Sequence, residues 1–103
     1  MADFIAVART DEIAAGRVKV VEVDGRRIAL CNVDGEFFAI DDVCTHDGGS
    51  LDQGELYDNV IECPRHGARF DVKTGNVLAF PAVKPVNTYA VRLEGAQIEV
   101  ALP

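Results

Sequence analysis

Short apolar stretches separated by turn residues run along the whole chain. Three pairs of an acidic residue and glycine lie between two such stretches, as the tight turns of β-hairpins do: Asp24-Gly25, Asp34-Gly35 and Glu94-Gly95. The stretches are rich in β-branched and aromatic residues and predict strands at residues 4–8, 18–23, 27–33, 36–41, 60–62, 69–71, 89–93 and 97–100. Short strands at intervals of about ten residues are typical of an all-β sandwich or barrel.

Alternation within the strands indicates which face is buried. Val18 and Val20, together with Ile28 and Leu30, predict one buried face. The only helical candidate is residues 11–15, with Thr10 as its N-cap. Three stretches break the strand pattern and are predicted to be loops, the usual place for binding chemistry on a rigid sheet: residues 43–58, 63–68 and 78–85.

Length and composition limit the class of protein. A chain of 103 residues forms a single domain, residues 1–103, and 49% hydrophobic with 26% charged residues is an ordinary globular composition. No apolar run approaches the roughly 18 residues of a membrane-spanning helix. The first residues lack a basic and then apolar segment, so we expect no signal peptide and a cytoplasmic location.

The charge balance narrows the range of partners. Ten Lys and Arg against 17 Asp and Glu give a net charge of -7. Nucleic acid is an improbable partner because phosphate binding needs a basic surface. The acidity suits association with a basic protein surface, or it serves only solubility, and the sequence leaves both readings open.

The cysteines and histidines are the most informative residues. Three cysteines in a chain without an export signal make a disulfide framework improbable. Cys44 and Cys63 lie beside the chain's only histidines, His46 and His66. Cys31 lies in an apolar run and is predicted to be a buried structural thiol.

Two thiolates and two imidazoles form a four-ligand set. Such a set suits tetrahedral zinc or an iron-sulfur cluster of mixed ligation. Zinc sites usually pair like ligands, whereas each half of this set carries one cysteine and one histidine. This spacing favours two loops that clamp a two-iron cluster, with the cysteines on one iron and the histidines on the other. A zinc-dependent structural module remains the alternative.

The motif C-x-H-x16-C-x2-H resembles that of the Rieske family. The segment from Cys63 to Asp71, then Thr74-Gly75 and residues 81–85, resembles the Rieske ferredoxins of bacterial ring-hydroxylating systems. The resemblance implies a Rieske-like antiparallel β-sandwich or barrel with a small cluster-binding subdomain, about residues 43–80, formed by two ligand loops. It also implies one [2Fe-2S] cluster with four ligands: Cys44, His46, Cys63 and His66.

The resemblance also assigns residues that surround the cluster. Glycines after each histidine allow backbone N–H groups to approach the sulfides, and Pro81 belongs to a proline loop that covers the cluster. The full set of surrounding residues comprises Thr45, Gly48, Gly49, Pro64, Arg65, Gly67, Ala68, Phe70 and Pro81.

Departures from the high-potential Rieske branch indicate a low potential. That branch carries a disulfide between the loops, where this chain has Gly49 and Arg65. It also carries a serine and a tyrosine that donate hydrogen bonds to sulfur, where this chain has Ala68 and Phe70. Because such donors stabilise the added electron, their absence predicts a potential of about -150 mV, the low end for Rieske centres.

The function implied by the resemblance is soluble one-electron transfer from an NAD(P)H-dependent flavoprotein reductase to a terminal Rieske oxygenase. We expect a monomeric carrier in aromatic hydrocarbon catabolism that is not itself an enzyme, since no nucleotide-binding glycine motif or third histidine is present. The alternatives are a small Rieske subunit of a nitrite reductase-like or other oxidoreductase complex, and a redox sensor.

Overall fold

The computed structural model describes residues 3–45, 48–64, 67–80 and 84–102. In these residues the chain forms two 3-10 helices, Thr10–Glu12 and Leu51–Gln53, neither of which is long or apolar enough to cross a membrane. The rest of the regular structure is β-strand: β1 Asp3–Arg9, β2 Val18–Val23, β3 Arg26–Val33, β4 Glu36–Asp41, β5 Glu55–Tyr57, β6 Val60–Glu62, β7 Arg69–Asp71, β8 Val77–Ala79, β9 Thr88–Tyr89, β10 Val91–Glu94 and β11 Gln97–Leu102.

The strands form three antiparallel sheets. The terminal sheet has the order β1-β11-β10, the central sheet β2-β3-β4-β9 and the third sheet β5-β6-β7-β8. Two tight turns organise the central sheet, and both central residues of each have positive φ: 51° and 75° at Asp24-Gly25, and 53° and 91° at Asp34-Gly35. Such turns match the right-handed twist of the flanking strands, which explains the hairpins at these positions. The predicted all-β class is confirmed.

Strand β3 separates two hydrophobic cores. Ala29 and Cys31 belong to the first core, whereas Ile28 and Leu30 belong to the second, and all four are fully buried. The prediction of one buried face was therefore wrong. Val18 packs on the first core, on the face opposite to Ile28 and Leu30. Strand β3 is covered on both sides, and a strand buried in this way has a continuous apolar run instead of an alternating one.

Two strands and one break were not predicted. Strand β5 was assigned to a loop because the turn that follows it, Asp58-Asn59, contains no glycine, although Asp58 has a φ of 50°. Strand β8 lies within a segment predicted partly as loop and pairs with β7. The predicted strand 89–93 is two strands, since β9 pairs with β4 and β10 pairs with β11. The chain passes between sheets at Ala90.

The predicted helix at residues 11–15 is shorter and begins earlier. The 3-10 helix spans Thr10–Glu12, and Arg9 rather than Thr10 is its N-cap residue. Ile13 ends the helix with extended backbone, φ -128° and ψ 105°, and its side chain is buried in the second core. The helix therefore ends where the chain turns Ile13 into the core.

Candidate metal centre

The first Cys-His loop, residues 44–49, is closed by two backbone hydrogen bonds. The Cys44 N–H donates to the carbonyl of Gly49 at 2.7 Å, and the Gly48 N–H donates to the carbonyl of Cys44 at 2.8 Å. Gly48 has a φ of 77°, which L-residues with a side chain adopt only at a cost.

The second Cys-His loop, residues 63–68, repeats this arrangement. The Cys63 N–H donates to the carbonyl of Ala68 at 2.7 Å, and the Gly67 N–H donates to the carbonyl of Cys63 at 3.1 Å. Gly67 has a φ of 78°. The two loops therefore share their closing hydrogen bonds, their left-handed glycine and the position of their cysteine.

Both loop cysteines lie in the first core. Cys44 and Cys63 have relative exposures of 0% and 1%, and both are thiols, as is the buried Cys31. Two buried thiols at matching loop positions provide the soft donor set that an iron-sulfur cluster requires. The chemistry of these residues therefore fits such a cluster.

Four of the predicted site residues lie outside the described part of the chain: His46, Arg65, His66 and Pro81. Within the described ranges, which contain neither histidine, no group of three or more metal-ligating side chains comes together.

The other predicted residues surround the two loops. Ala68 and Phe70 are fully buried in the first core with both cysteines. Pro64 is exposed. Gly48 is also exposed, whereas Gly49 and Gly67 are partly buried.

The segment from residue 84 to residue 87 lies against the first loop. The partly buried Thr45 donates its hydroxyl to the carbonyl of Lys84 at 2.7 Å. The Val86 N–H donates to the carbonyl of Gly75 at 2.9 Å, and the Val86 side chain belongs to the first core. Lys84, within the predicted proline loop, is thus bonded to the first loop, and Val86, just after that loop, packs on the core that holds both cysteines.

The two loops are supported differently. The second loop closes the β6–β7 hairpin, where Glu62 pairs with Arg69 and accepts a hydrogen bond from its side chain at 2.8 Å. The first loop runs from the central sheet to the helix Leu51–Gln53, and the buried carboxylate of Asp42 accepts the Asp52 N–H at 2.8 Å. A side chain therefore links the two ends of the first loop, whereas strand pairing links the two ends of the second.

A close backbone contact joins the segment that follows the first loop to the residue that precedes the second. A Cβ atom on Gly54 would lie 1.7 Å from the carbonyl oxygen of Glu62, the residue that precedes Cys63. Only glycine allows the backbone before β5 to lie this close to the residue before the second loop.

Sequence reasoning missed both Asp42 and Gly54. The available signal for Asp42 was its position between a buried strand and Cys44, where a solvated acid is the default interpretation. Gly54 offered no signal beyond its place in a glycine-containing loop, because its neighbour Glu62 lies across the β5–β6 hairpin, whose strand β5 was not predicted.

The prediction for Cys31 is confirmed. Its side chain is fully buried, and burial, followed by the negative charge of Asp42, raises the pKa of the Cys31 thiol to about 12. A thiol that stays protonated at neutral pH is a structural residue rather than a reactive one.

Residues 3–90 match the family described as the Rieske [2Fe-2S] domain. A relative from Ralstonia sp., the ferredoxin component of naphthalene 1,2-dioxygenase/salicylate 5-hydroxylase systems, is 42% identical over 96 residues, 93% of this chain and 92% of the relative. The ferredoxin of carbazole 1,9a-dioxygenase from Nocardioides aromaticivorans IC177 has a TM-score of 0.92 and 36% identity, over 95% of this chain and 96% of that chain.

A third similar structure is a complex. A chain of the complex of reduced oxygenase and oxidised ferredoxin in carbazole 1,9a-dioxygenase has a TM-score of 0.90 and 32% identity, over 95% of this chain and 92% of that chain. Matched loops with buried thiols, the three-sheet fold and these likenesses agree, and the protein belongs to the Rieske [2Fe-2S] family of iron-sulfur proteins.

Proposed function

We propose that this protein is a one-electron carrier that accepts electrons from an NAD(P)H-dependent flavoprotein reductase and delivers them to a terminal Rieske oxygenase. The observation that carries this proposal is the pair of matched loops, each with its cysteine buried in the first core. Relatives named as ferredoxin components of dioxygenase systems support the electron-transfer role and argue against a catalytic one.

The proposed ligands are one cysteine and one histidine from each loop. Cys44 and Cys63 would hold one iron, and His46 and His66 would hold the other, in line with the mixed ligation of Rieske centres. When bound, the [2Fe-2S] cluster supplies one-electron redox chemistry. The third sheet and the two loops, about residues 43–80, form the cluster-binding subdomain within the single domain 1–103.

The surrounding residues hold the loops in shape. Gly48 and Gly67 direct the backbone through its left-handed turns, with Gly49, Pro64 and Arg65 completing the two loops. Thr45 ties the first loop to Lys84, and this bond supports a covering role for the loop that contains Pro81.

The proposed reduction potential is low, about -150 mV. Ala68 and Phe70 are buried in the core with both cysteines and have no hydroxyl to donate to sulfur. The net charge of -7 also disfavours an added electron, although solvent screens much of this effect. A redox titration tests the proposal, and a midpoint above zero would contradict it.

The proposed docking surface lies beside the second loop. Leu78 and Phe80 are 51% and 82% exposed. They flank Ala79, which pairs with Arg69, the first residue after the second loop. Exposed apolar side chains of this size are typical of protein contacts. Redox partners usually meet through small interfaces, so two such side chains form a substantial part of one.

The names of the relatives suggest the oxygenase's substrate class, and the cysteines suggest where this protein is located. We propose that the oxygenase acts on an aromatic compound, as naphthalene and biphenyl dioxygenase systems do by name. Three cysteines outside any disulfide suit a reducing compartment, the cytoplasm. The protein acts as a monomer, and gel filtration with iron analysis distinguishes it from a fixed subunit of a larger oxidoreductase.

Spectroscopy of the purified, natively produced protein tests the ligand proposal. We expect two irons and two acid-labile sulfides per chain, visible absorbance, and an electron paramagnetic resonance (EPR) signal of a mixed-ligand cluster after reduction. Zinc without labile sulfide would contradict the proposal and favour a structural module.

A reductase-coupled assay tests the docking surface. Phe80→Ser is expected to raise the oxygenase concentration needed for half-maximal electron transfer about tenfold, since buried aromatic residues dominate interfaces. Leu93→Ser is the matched control, because Leu93 is 47% exposed on β10 of the terminal sheet. Equal effects of the two substitutions would contradict this placement.

A further inference from the structure

The carboxylate of Asp42 is the most deeply buried charge in the described part of the chain that enters an ion pair. Its side chain has a relative exposure of 0%, whereas its partner Arg27 is 51% exposed. An ionised carboxylate is costly to bury unless its oxygens are hydrogen-bonded. The bonds of Asp42 therefore show what the fold gains from it.

Asp42 bonds to two distant parts of the chain. One carboxylate oxygen accepts a hydrogen bond from Nη2 of Arg27 at 3.0 Å, and the Asp42 N–H donates to the carbonyl of Arg27 at 3.0 Å. The other oxygen accepts the N–H of Asp52, in the helix Leu51–Gln53, at 2.8 Å. The side chain thus connects β3 to the segment that follows the first loop.

The topology explains why the first loop needs such a connection. Its preceding strand, β4, belongs to the central sheet, and the next strand, β5, belongs to the third sheet. These two strands do not pair, so no strand ladder brings the loop's ends together. In the second loop, pairing of Glu62 with Arg69 does so directly.

We propose that Asp42, held by Arg27, is the positioning residue that joins the two ends of the first loop and fixes Cys44 relative to the second loop. The inference rests on the proposed ligand set. Charge-assisted hydrogen bonds at a fully buried carboxylate are the stronger kind, so this clamp retains the cluster in a way that the Glu62–Arg69 ion pair, whose carboxylate is 26% exposed, does not.

Cluster release into a chelator measures the clamp in the holoprotein. Asp42→Ala is expected to speed the loss of visible absorbance about tenfold, because both carboxylate contacts disappear. Asp42→Asn is expected to fall between wild type and Asp42→Ala, since its amide oxygen still accepts the Asp52 N–H. Glu62→Ala removes the matching ion pair beside the second loop and is expected to change the rate by less than about twofold.

Spectroscopy separates positioning from general destabilisation. In the cluster-loaded fraction, Asp42→Ala is expected to shift or broaden the EPR signal, whereas Glu62→Ala leaves it as in wild type. Hydrogen exchange of the Asp52 amide in the holoprotein is expected to be faster in Asp42→Ala than in Asp42→Asn. If Asp42→Ala does not fold, Asp42→Asn against Glu62→Gln gives the same comparison.

Two results would overturn the proposal: equal release rates for the Asp42 and Glu62 variants, or a wild-type EPR signal in every Asp42 variant. Failure of the proposed function is recognised separately, since a wild-type protein without a mixed-ligand signal would contradict the ligand set before any variant is compared.

Discussion

The two Cys-His loops have the same backbone hydrogen bonds but different foundations. The second loop closes a hairpin, and its ends are adjacent because Glu62 and Arg69 pair across β6 and β7. The first loop joins two sheets, and its ends are linked through the Asp42 carboxylate and the helix Leu51–Gln53.

The difference shows that loop geometry and loop support are separable. Both loops contain a left-handed glycine and the same two closing hydrogen bonds, although different elements flank them. Local backbone rules therefore define the cysteine's place in each loop, whereas long-range contacts such as Asp42 and Gly54 define how the loops face one another.

The largest expected effect comes from removing one loop thiol at a time, which tests whether both loops supply a cluster ligand. Cys44→Ser and Cys63→Ser are each expected to abolish cluster binding, because a hydroxyl is a much poorer ligand for iron-sulfur clusters than a thiolate. Iron and acid-labile sulfide per chain measure the loss. Cys31→Ala is the control, since Cys31 shares the first core but belongs to neither loop, and it should keep a full cluster.

Hydroxyl groups added at and just after the second loop would give it hydrogen-bond donors to sulfur that the first loop lacks. Ala68→Ser with Phe70→Tyr is expected to raise the midpoint potential by about 100–200 mV, because each donor stabilises the added electron. Redox titration of the loaded double variant measures the shift. An unchanged potential in a folded, loaded protein would show that these buried positions do not reach sulfur.

The contact between the loops can be broken at Gly54. Gly54→Ala is expected to lower the free energy of unfolding by about 3 kcal/mol, because its Cβ would lie 1.7 Å from the Glu62 carbonyl oxygen and the backbone must shift. Gly48→Ala and Gly67→Ala meet open space and strain only φ, so each is expected to cost about 1 kcal/mol. Denaturant unfolding measures all three. A smaller loss for Gly54→Ala than for the loop glycines would contradict the coupling.

The smallest expected effect is that of the Cys31 thiol on the free energy of unfolding, and it is confined to alkaline pH. The folded-state pKa of Cys31 is about 12, against 9.0 as its ordinary value, so its contribution to stability is fully present below pH 9 and is lost as pH rises towards 12. Wild type should therefore lose stability relative to Cys31→Ala by about 1 kcal/mol per pH unit in this window. Urea unfolding at pH 8, 9 and 10 measures the difference, which a constant gap would contradict.

Local patterns predicted most of the central sheet. Acid-glycine turns at Asp24-Gly25 and Asp34-Gly35 and the apolar stretches around them gave β2, β3 and β4 to within a residue. Strand β5 was missed because Asp58 adopts the left-handed turn conformation without a glycine after it. The change of sheet at Ala90 was missed because it depends on which strands pair, and no local residue encodes that choice.

The ligand residues of the candidate site could be predicted from residue type and spacing, whereas the contacts that support its loops could not. Spacing identified Cys44 and Cys63 as a matched pair, and the structure buries both in one core. Their support was not predictable, because Asp42 resembles any surface acid in sequence. Its role depends on Arg27 and Asp52, which lie 15 and 10 positions away.

The contact at Gly54 also bears on the speed of the proposed electron transfer. Because the carbonyl of Glu62 lies directly against this glycine, the residue before the second loop cannot slide without moving the segment that follows the first loop. Close-packed backbone of this kind is hard to compress, so we expect it to move little when an electron arrives or leaves. We therefore expect this contact to lower the reorganisation energy of the proposed carrier, which would suit transfer during a short-lived encounter.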